Sequence, residues 1–164
     1  MKKLILVTSI FLVSFHVSAQ SYKVKDLSNS IGNWEGKLTY LDYSSGKPFT
    51  MLANMKISLT KDGLGYIMGY EYPKEPHANA TDTTYIKDNL FGNDNIVAFE
   101  NDVNGGFKMI TEVAGEDGNE HKKAILRHTY TLKSNSFSIV KEVKFEGTKV
   151  WIKRNEYLLN KAAN

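Results

Sequence analysis

The chain has 164 residues, no cysteine and only three prolines, and its formal net charge is +3 at pH 7. The lack of cysteine excludes disulfides, thiol nucleophiles, cysteine metal sites and a lipid-modified N-terminal cysteine. Lysine and arginine are scattered among acidic residues, whereas nucleic-acid binders cluster them on one surface, so we expect no nucleic-acid partner.

The first 19 residues have the pattern of a secretory signal peptide. Lys2 and Lys3 give a positive start, residues 4–15 are mostly apolar, and Val17-Ser18-Ala19 offers modest or small side chains before a cleavage site. About 12 apolar residues are too few to span roughly 30 Å of hydrocarbon, so we expect cleavage and no membrane insertion. Cleavage after Ala19 leaves 145 residues with a net charge near +1. The pattern predicts export to a bacterial periplasm or to the medium.

A lead-in over residues 20–31 precedes a long series of alternating apolar and polar residues. This period of two is typical of β-strands with one buried face. Turn signals such as Lys61-Asp62-Gly63 separate the alternating runs. The pattern predicts about nine strands, near 33–43, 49–60, 64–72, 82–90, 95–101, 106–114, 121–132, 136–146 and 148–160.

The regular spacing of these runs predicts a meander in which sequential strands pair. A long antiparallel sheet closes or folds over to hide its edges. We therefore expect a single all-β domain over residues 32–161, an up-and-down antiparallel barrel of about eight to ten strands. A barrel of this size can enclose a small ligand.

Residues 31–36, Ile-Gly-Asn-Trp-Glu-Gly, open the first strand. This segment resembles the Gly-x-Trp signature of lipocalin-type (calycin) barrels, and the pattern of most of the chain is similar to secreted bacterial domains of that type. The resemblance implies that Gly32 and Trp34 close one end of the barrel, with a basic residue of a late strand packed over the indole. Arg154, and after it Arg127, are the candidates because the chain has no other arginine.

The short first loop and the absence of a predicted C-terminal helix make the chain more similar to compact ten-stranded relatives. These include fatty-acid-binding proteins and haem-binding nitrobindins. The chain lacks the two helices of the former, and their Arg-x-Tyr motif is unmatched because Tyr130 and Tyr157 each follow an arginine by three residues. It also lacks the Gly-rich, Pro-containing stretch of the latter. We therefore expect no cofactor, haem included.

Side chains on the predicted inner faces give candidate ligand contacts. Tyrosine combines an apolar ring with a polar tip, and methionine adapts to varied shapes. An ordinary packed barrel uses the same residue types, and a slip of one residue would exchange the two faces of a strand. The candidate lining is Tyr40, Met55, Tyr66, Met68, Tyr70, His128, Tyr130 and Lys141.

His128 and Lys141 are the candidates with acid–base chemistry, and each falls on an otherwise apolar face. His128 is a base, a ligand contact or a hydrogen-bonded core histidine. Lys141 pairs with an anionic ligand or extends to the barrel rim. The segment Glu75-Pro76-His77 does not by itself make a metal site, and we expect no metal.

The sequence favours a secreted lipocalin-like protein that holds a small hydrophobic or amphipathic molecule inside the barrel without chemistry. Two alternatives stay open. One is a barrel enzyme of isomerase or lyase type that uses His128 as acid and base, by analogy with other barrels. The other is a packed accessory or interaction domain with no ligand.

Overall fold

The computed structural model describes residues 22–163, and the predicted signal peptide with its cleavage site lies outside the described residues. Ten antiparallel strands form a closed barrel in which each strand pairs with its neighbours in sequence and β1 pairs with β10. The predicted fold, an all-β up-and-down barrel, is confirmed. The strands are β1 Gly32–Leu41, β2 Pro48–Leu59, β3 Gly65–Glu71, β4 Ala80–Lys87, β5 Leu90–Phe91, β6 Asp94–Asn101, β7 Phe107–Asp117, β8 Lys122–Lys133, β9 Ser136–Phe145 and β10 Ile152–Lys161.

The strand that the sequence pattern did not predict is β5. It has two residues, too few to show a period of two, and it pairs with the end of β4 and the start of β6. The chain turns between β4 and β5 at Asp88, whose φ of 56° lies in the left-handed region that aspartate tolerates better than most residues. One predicted strand over 82–90 is therefore β4, a turn and the start of β5.

Two short 3₁₀ helices, Val24–Ser30 and Pro76–Ala78, complete the described elements. The first lies at the end of the barrel where β1 begins, which we call the lower end. The second lies in the β3–β4 connection at the other end, the upper end, where residues 42–47, 118–121 and 146–151 also connect strands. No helix within residues 22–163 has the length and apolar character needed to cross a membrane.

Side chains fill the lower end of the barrel. Trp34 is 1% exposed, its ring packs against Phe137 at 5.5 Å between centroids, and its indole N–H donates to the Ser30 carbonyl at 2.8 Å. Leu27 of the first 3₁₀ helix is buried in the same cluster, so this helix covers the lower opening. Other buried members are Met55, Ile57, Tyr66, Phe107, Met109, Leu132 and Leu159.

Candidate functional site: a cavity in the upper half of the barrel

The upper half of the barrel contains a cavity of about 350 Å³. Strands β3 and β8 both contribute to its wall, and they lie on opposite sides of the ring of strands. A space touched by both strands is therefore inside the barrel. The cavity is lined by Met68, Tyr70, Tyr72, Ala80, Asp82, Thr84, Phe91, His128, Tyr130, Ile139, Asn155 and Tyr157.

Three tyrosines form one wall of the cavity. The hydroxyls of Tyr72 and Tyr157 are hydrogen-bonded at 2.6 Å, and the rings of Tyr70 and Tyr157 pack at 5.7 Å between centroids. Burial raises the pKa of Tyr70 well above its ordinary value. Burial, together with the hydrogen bond between Tyr157 and Tyr72, does the same for the pKa of Tyr157. Both phenols keep their protons at neutral pH, so this wall is uncharged and presents ring surface with hydroxyl tips.

The other aromatic wall consists of Phe91, Tyr130 and His128. The Phe91 ring meets Tyr130 edge to face at 5.3 Å, and the imidazole lies 6.3 Å from the Tyr130 ring. Burial raises the pKa of Tyr130 far above the ordinary range. Apolar ring surface from β5 and β8 therefore faces the tyrosines of β3 and β10.

The imidazole of His128 is held by Asp94, the first residue of β6. Its Nδ1 lies 3.2 Å from Asp94 Oδ2, and the Thr111 hydroxyl donates to the same oxygen at 3.2 Å. Burial lowers the pKa of His128, Asp94 opposes this effect, and the positive charge of Lys141 adds to it. The imidazole is thus neutral at pH 7. Since an ionised carboxylate only accepts hydrogen bonds, Nδ1 carries the proton and Nε2 keeps its lone pair.

Among the described residues, Asp82 on β4 is the one carboxylate in the cavity lining, and no lysine or arginine belongs to that lining. Within residues 22–163 Asp82 forms no ion pair and no side-chain hydrogen bond. No group of three or more metal-ligating side chains converges in the same part of the chain.

A separate charged cluster lies at the upper end of the barrel. Arg154 Nε is 3.1 Å and Lys141 Nζ 3.2 Å from the Asp117 carboxylate, and the Tyr43 hydroxyl also donates to it. The Arg154 guanidinium stacks on Tyr43, with Cζ 3.0 Å from the ring centroid. These four residues line, with Tyr40, a smaller pocket of about 280 Å³.

The expected packing of Arg154 over Trp34 does not occur. Arg154 is next to Asn155, which pairs with Tyr40, and Tyr40 lies six residues beyond Trp34 on β1. This separation is about 20 Å along a strand. Within residues 22–163, the cation over the Trp34 ring is Lys161, with Nζ 5.7 Å from the centroid.

The second candidate for that contact, Arg127, stacks on Trp151 instead, with Cζ 3.8 Å from the ring centroid.

Gly32 begins β1 with φ of 141°, a conformation that favours glycine. The glycine of the Gly-x-Trp segment therefore fits the junction between the first 3₁₀ helix and the barrel.

The structure distributes the eight predicted lining residues over three places. Met68, Tyr70, His128 and Tyr130 line the cavity. Met55 and Tyr66 lie in the packed lower half, where the Tyr66 hydroxyl donates to the Val24 carbonyl. Tyr40 and Lys141 line the smaller pocket at the upper end.

Sequence reasoning did not place Asp82, Thr84, Phe91, Asn155 or Tyr157 in the lining. Asp82 and Thr84 follow the same period of two as Ala80, but their polarity hides which face is inward. A register irregularity between Lys153 and Asn155 adds Arg154 to β10, so Arg154 and Tyr157 both face the interior although they differ by three residues. A bulge of this kind leaves no reliable sequence signal.

No protein-family model matches the chain, and the search of curated proteins returns no match either. Among solved structures, the chain is similar to Rv2717c from M. tuberculosis, with a TM-score of 0.50 and 13% identity over 85% of this chain and 97% of that one. A protein of unknown function from the DUF3598 family of Nostoc punctiforme matches with a TM-score of 0.42 and 12% identity, over 87% of this chain and 50% of that one. At this identity, the similarity to Rv2717c shows the barrel fold alone.

Proposed function

We propose that the protein binds a small, partly apolar organic molecule in the upper half of its barrel. The observation that carries this proposal is the cavity of about 350 Å³ between two aromatic walls. Its volume lies in the range of small-molecule sites, and its lining combines ring surface with a few polar groups. The lower half of the same barrel is filled by side chains, so the fold does not require an open interior.

The aromatic walls lack packing contacts on the side that faces the cavity. Protein interiors are close-packed, and ring surface facing a void loses dispersion contacts on that side. The paired hydroxyls of Tyr72 and Tyr157 and the Nε2 lone pair of His128 provide hydrogen-bonding groups at this surface. An amphipathic molecule supplies partners for both kinds of group.

The neutral fluorophore N-phenylnaphthylamine tests the proposal, because its emission rises in an apolar site. Thr84 lines the cavity, whereas its neighbour Thr83 is exposed on the outer face of β4. Thr84→Trp fills the cavity and is expected to weaken dye binding at least tenfold. Thr83→Trp is the matched control and leaves binding unchanged. Equal binding by both variants, or no binding by the wild-type protein, contradicts the proposal.

The contact between His128 and Asp94 favours a second candidate, an acid–base enzyme of isomerase or lyase type. A neutral imidazole oriented by a carboxylate and facing a cavity has the arrangement of a general base. Native mass spectrometry of the protein from its own host identifies a retained molecule. If the wild type converts that molecule and His128→Gln binds it without conversion, the enzyme candidate is supported. If the wild type releases the molecule unchanged, this candidate is wrong.

We further propose that the protein is lipocalin-like and acts outside the cytoplasm. The Gly-x-Trp start of β1 and the closed barrel support the first statement, and the pattern of residues 1–19 supports the second. Expression of the full chain in a bacterium, followed by N-terminal sequencing of the extracytoplasmic fraction, is expected to give Gln20 as the first residue. Ala19→Glu blocks cleavage in the control. A full-length wild-type chain in the cytosol contradicts export.

A further inference from the structure

We propose that the cavity selects a small organic cation, an ammonium group that carries an apolar substituent, over neutral and anionic molecules of the same shape. This inference rests on the proposed binding function and specifies its ligand class. Two independent features of the cavity support it: the arrangement of its aromatic rings and the balance of its charges.

The rings of Tyr70, Tyr72, Tyr157, Tyr130 and Phe91 surround the cavity from both sides. Aromatic faces carry a negative quadrupole and attract cations held within about 6 Å of the ring centroid. Several rings around one space form the kind of cage that recognises quaternary and substituted ammonium groups. Burial raises the pKa of Tyr70, Tyr130 and Tyr157, so these three phenols stay protonated at neutral pH. They therefore interact with a cation through their ring faces and not as phenolate anions.

The charges of the lining favour a cation over an anion. Asp82 contributes a carboxylate. Within the part of the chain that the structure describes, His128 is the one lining residue with a basic side chain, and it is neutral and backed by a second carboxylate, Asp94. The two nearby cations, Lys141 and Arg154, both contact Asp117 in the cluster at the upper end. An anion in the cavity would therefore meet negative charge, and no cation among the described lining residues offsets it.

The negative charge of Asp82 acts on tyrosines of both aromatic walls. Burial is the main cause of the raised pKa of Tyr70, Tyr130 and Tyr157, and the negative charge of Asp82 contributes to each of them. These rings belong to β3, β8 and β10, so the field covers both walls. A positive group between the walls interacts favourably with the same carboxylate.

Three probes of similar size separate shape from charge. Phenyltrimethylammonium is the cation, tert-butylbenzene is its neutral isostere, and benzenesulfonate is an anion of related size. The affinity of each probe is measured by displacement of N-phenylnaphthylamine from the complete processed protein, which begins at Gln20. We expect phenyltrimethylammonium to bind at least about fivefold more tightly than tert-butylbenzene, and benzenesulfonate to bind most weakly.

Asp82→Asn removes the charge with little change in volume. Asp82 is exposed, so solvent screens its pairing with a ligand cation, and the variant should weaken phenyltrimethylammonium binding only about threefold to fivefold. Binding of tert-butylbenzene should not change. Asp88→Asn is the matched control, because Asp88 lies in the β4–β5 turn outside the cavity and asparagine tolerates its positive φ.

The outcomes distinguish this inference from the function on which it rests. If tert-butylbenzene or benzenesulfonate binds as tightly as the cation, the preference for a cation is wrong and the binding function stands. If Asp82→Asn has no effect on cation binding, the contribution of the Asp82 charge to that preference is wrong. If the dye binds and none of the three probes displaces it, the cation proposal is also wrong. If the dye itself does not bind, the proposed function fails as well.

Discussion

His128 Nδ1 lies 3.2 Å from Asp94 Oδ2, although β7 separates the strands that carry the two residues. The contact spans β7 at Thr111, which is fully buried and donates a hydrogen bond to the same carboxylate oxygen. It ties the start of β6, next to the two-residue strand β5, to the long and regular strand β8. The same contact fixes the imidazole that faces the cavity. Stability and any chemistry of the cavity therefore depend on one titratable pair.

Acidification should destabilise the protein through His128. Burial lowers the folded-state pKa of His128 below the ordinary value of 6.5. As pH falls below about 6.5, the unfolded chain binds this proton more readily than the folded protein does. The free energy of unfolding therefore decreases as pH falls from about 6.5 towards the folded-state pKa, and the contribution is fully present above 6.5. Urea denaturation at about pH 7.5 and about pH 5.5 measures the difference.

His128→Gln should reduce this difference, because glutamine does not titrate. His77→Gln is the control, since His77 is exposed in the β3–β4 connection and should leave the difference unchanged. Asp94→Asn removes the carboxylate that raises the pKa of His128, so the imidazole pKa, followed by NMR, should fall further. An unchanged pH dependence in His128→Gln, or a higher imidazole pKa in Asp94→Asn, would contradict this account.

The alternation of the sequence was enough to predict every strand except the two-residue β5, and their closure, because one buried face per strand imposes a period of two. It also placed His128 and Tyr130 on an inward face, as the structure has them. Alternation did not predict that Arg154 and Tyr157 both face the interior. An extra residue in β10 shifts the register there, so two residues three apart lie on the same face. Whether an inward side chain packs against others or faces the cavity depends on neighbours distant in sequence. Met55 is therefore packed in the lower half, whereas Met68 lines the cavity.

The carboxylate of Asp117 should be important for stability because it neutralises Arg154. Arg154 is 6% exposed and lies 3.1 Å from Asp117. Asp117→Asn leaves the guanidinium buried without its main counter-charge, and we expect the free energy of unfolding to fall by about 3 kcal/mol. Guanidinium chloride denaturation measures the loss.

The control for this change is Glu156→Gln, which breaks the ion pair of Glu156 with Lys153. Lys153 is more than half exposed, so this loss should stay below about 1 kcal/mol. If the two substitutions lower the free energy of unfolding by the same amount, Asp117 does not compensate a buried charge, and the cluster at the upper end has no special role in stability.

The two tryptophans should differ in their contributions to the free energy of unfolding, since Trp34 is in the core and Trp151 is partly exposed. Trp34→Phe removes the donor to the buried Ser30 carbonyl and part of the ring that packs on Phe137, so we expect a loss of about 2 kcal/mol. Trp151→Phe weakens the stacking of Arg127 at a partly exposed position and should cost less than about 1 kcal/mol. Thermal and chemical unfolding followed by circular dichroism compares them, and equal losses would show that Trp34 does not anchor the lower end.

Gly36 should be essential for the pairing of β1 with β10, the contact that closes the barrel. A Cβ atom at this position would lie 2.1 Å from the Leu158 carbonyl oxygen, a backbone atom that cannot move without disturbing the strand pair. Gly36→Ala should therefore lower the free energy of unfolding by at least about 2 kcal/mol or prevent folding.

The matched control is Gly69→Ala on β3, where the nearest atom to the new Cβ is 3.8 Å away. Since alanine restricts the unfolded chain more than glycine does, this control should keep or raise stability by up to about 1 kcal/mol. The yield of folded protein and the midpoint of urea denaturation compare the variants, and a Gly36→Ala protein as stable as Gly69→Ala would show that the close approach of β1 and β10 is not required for closure.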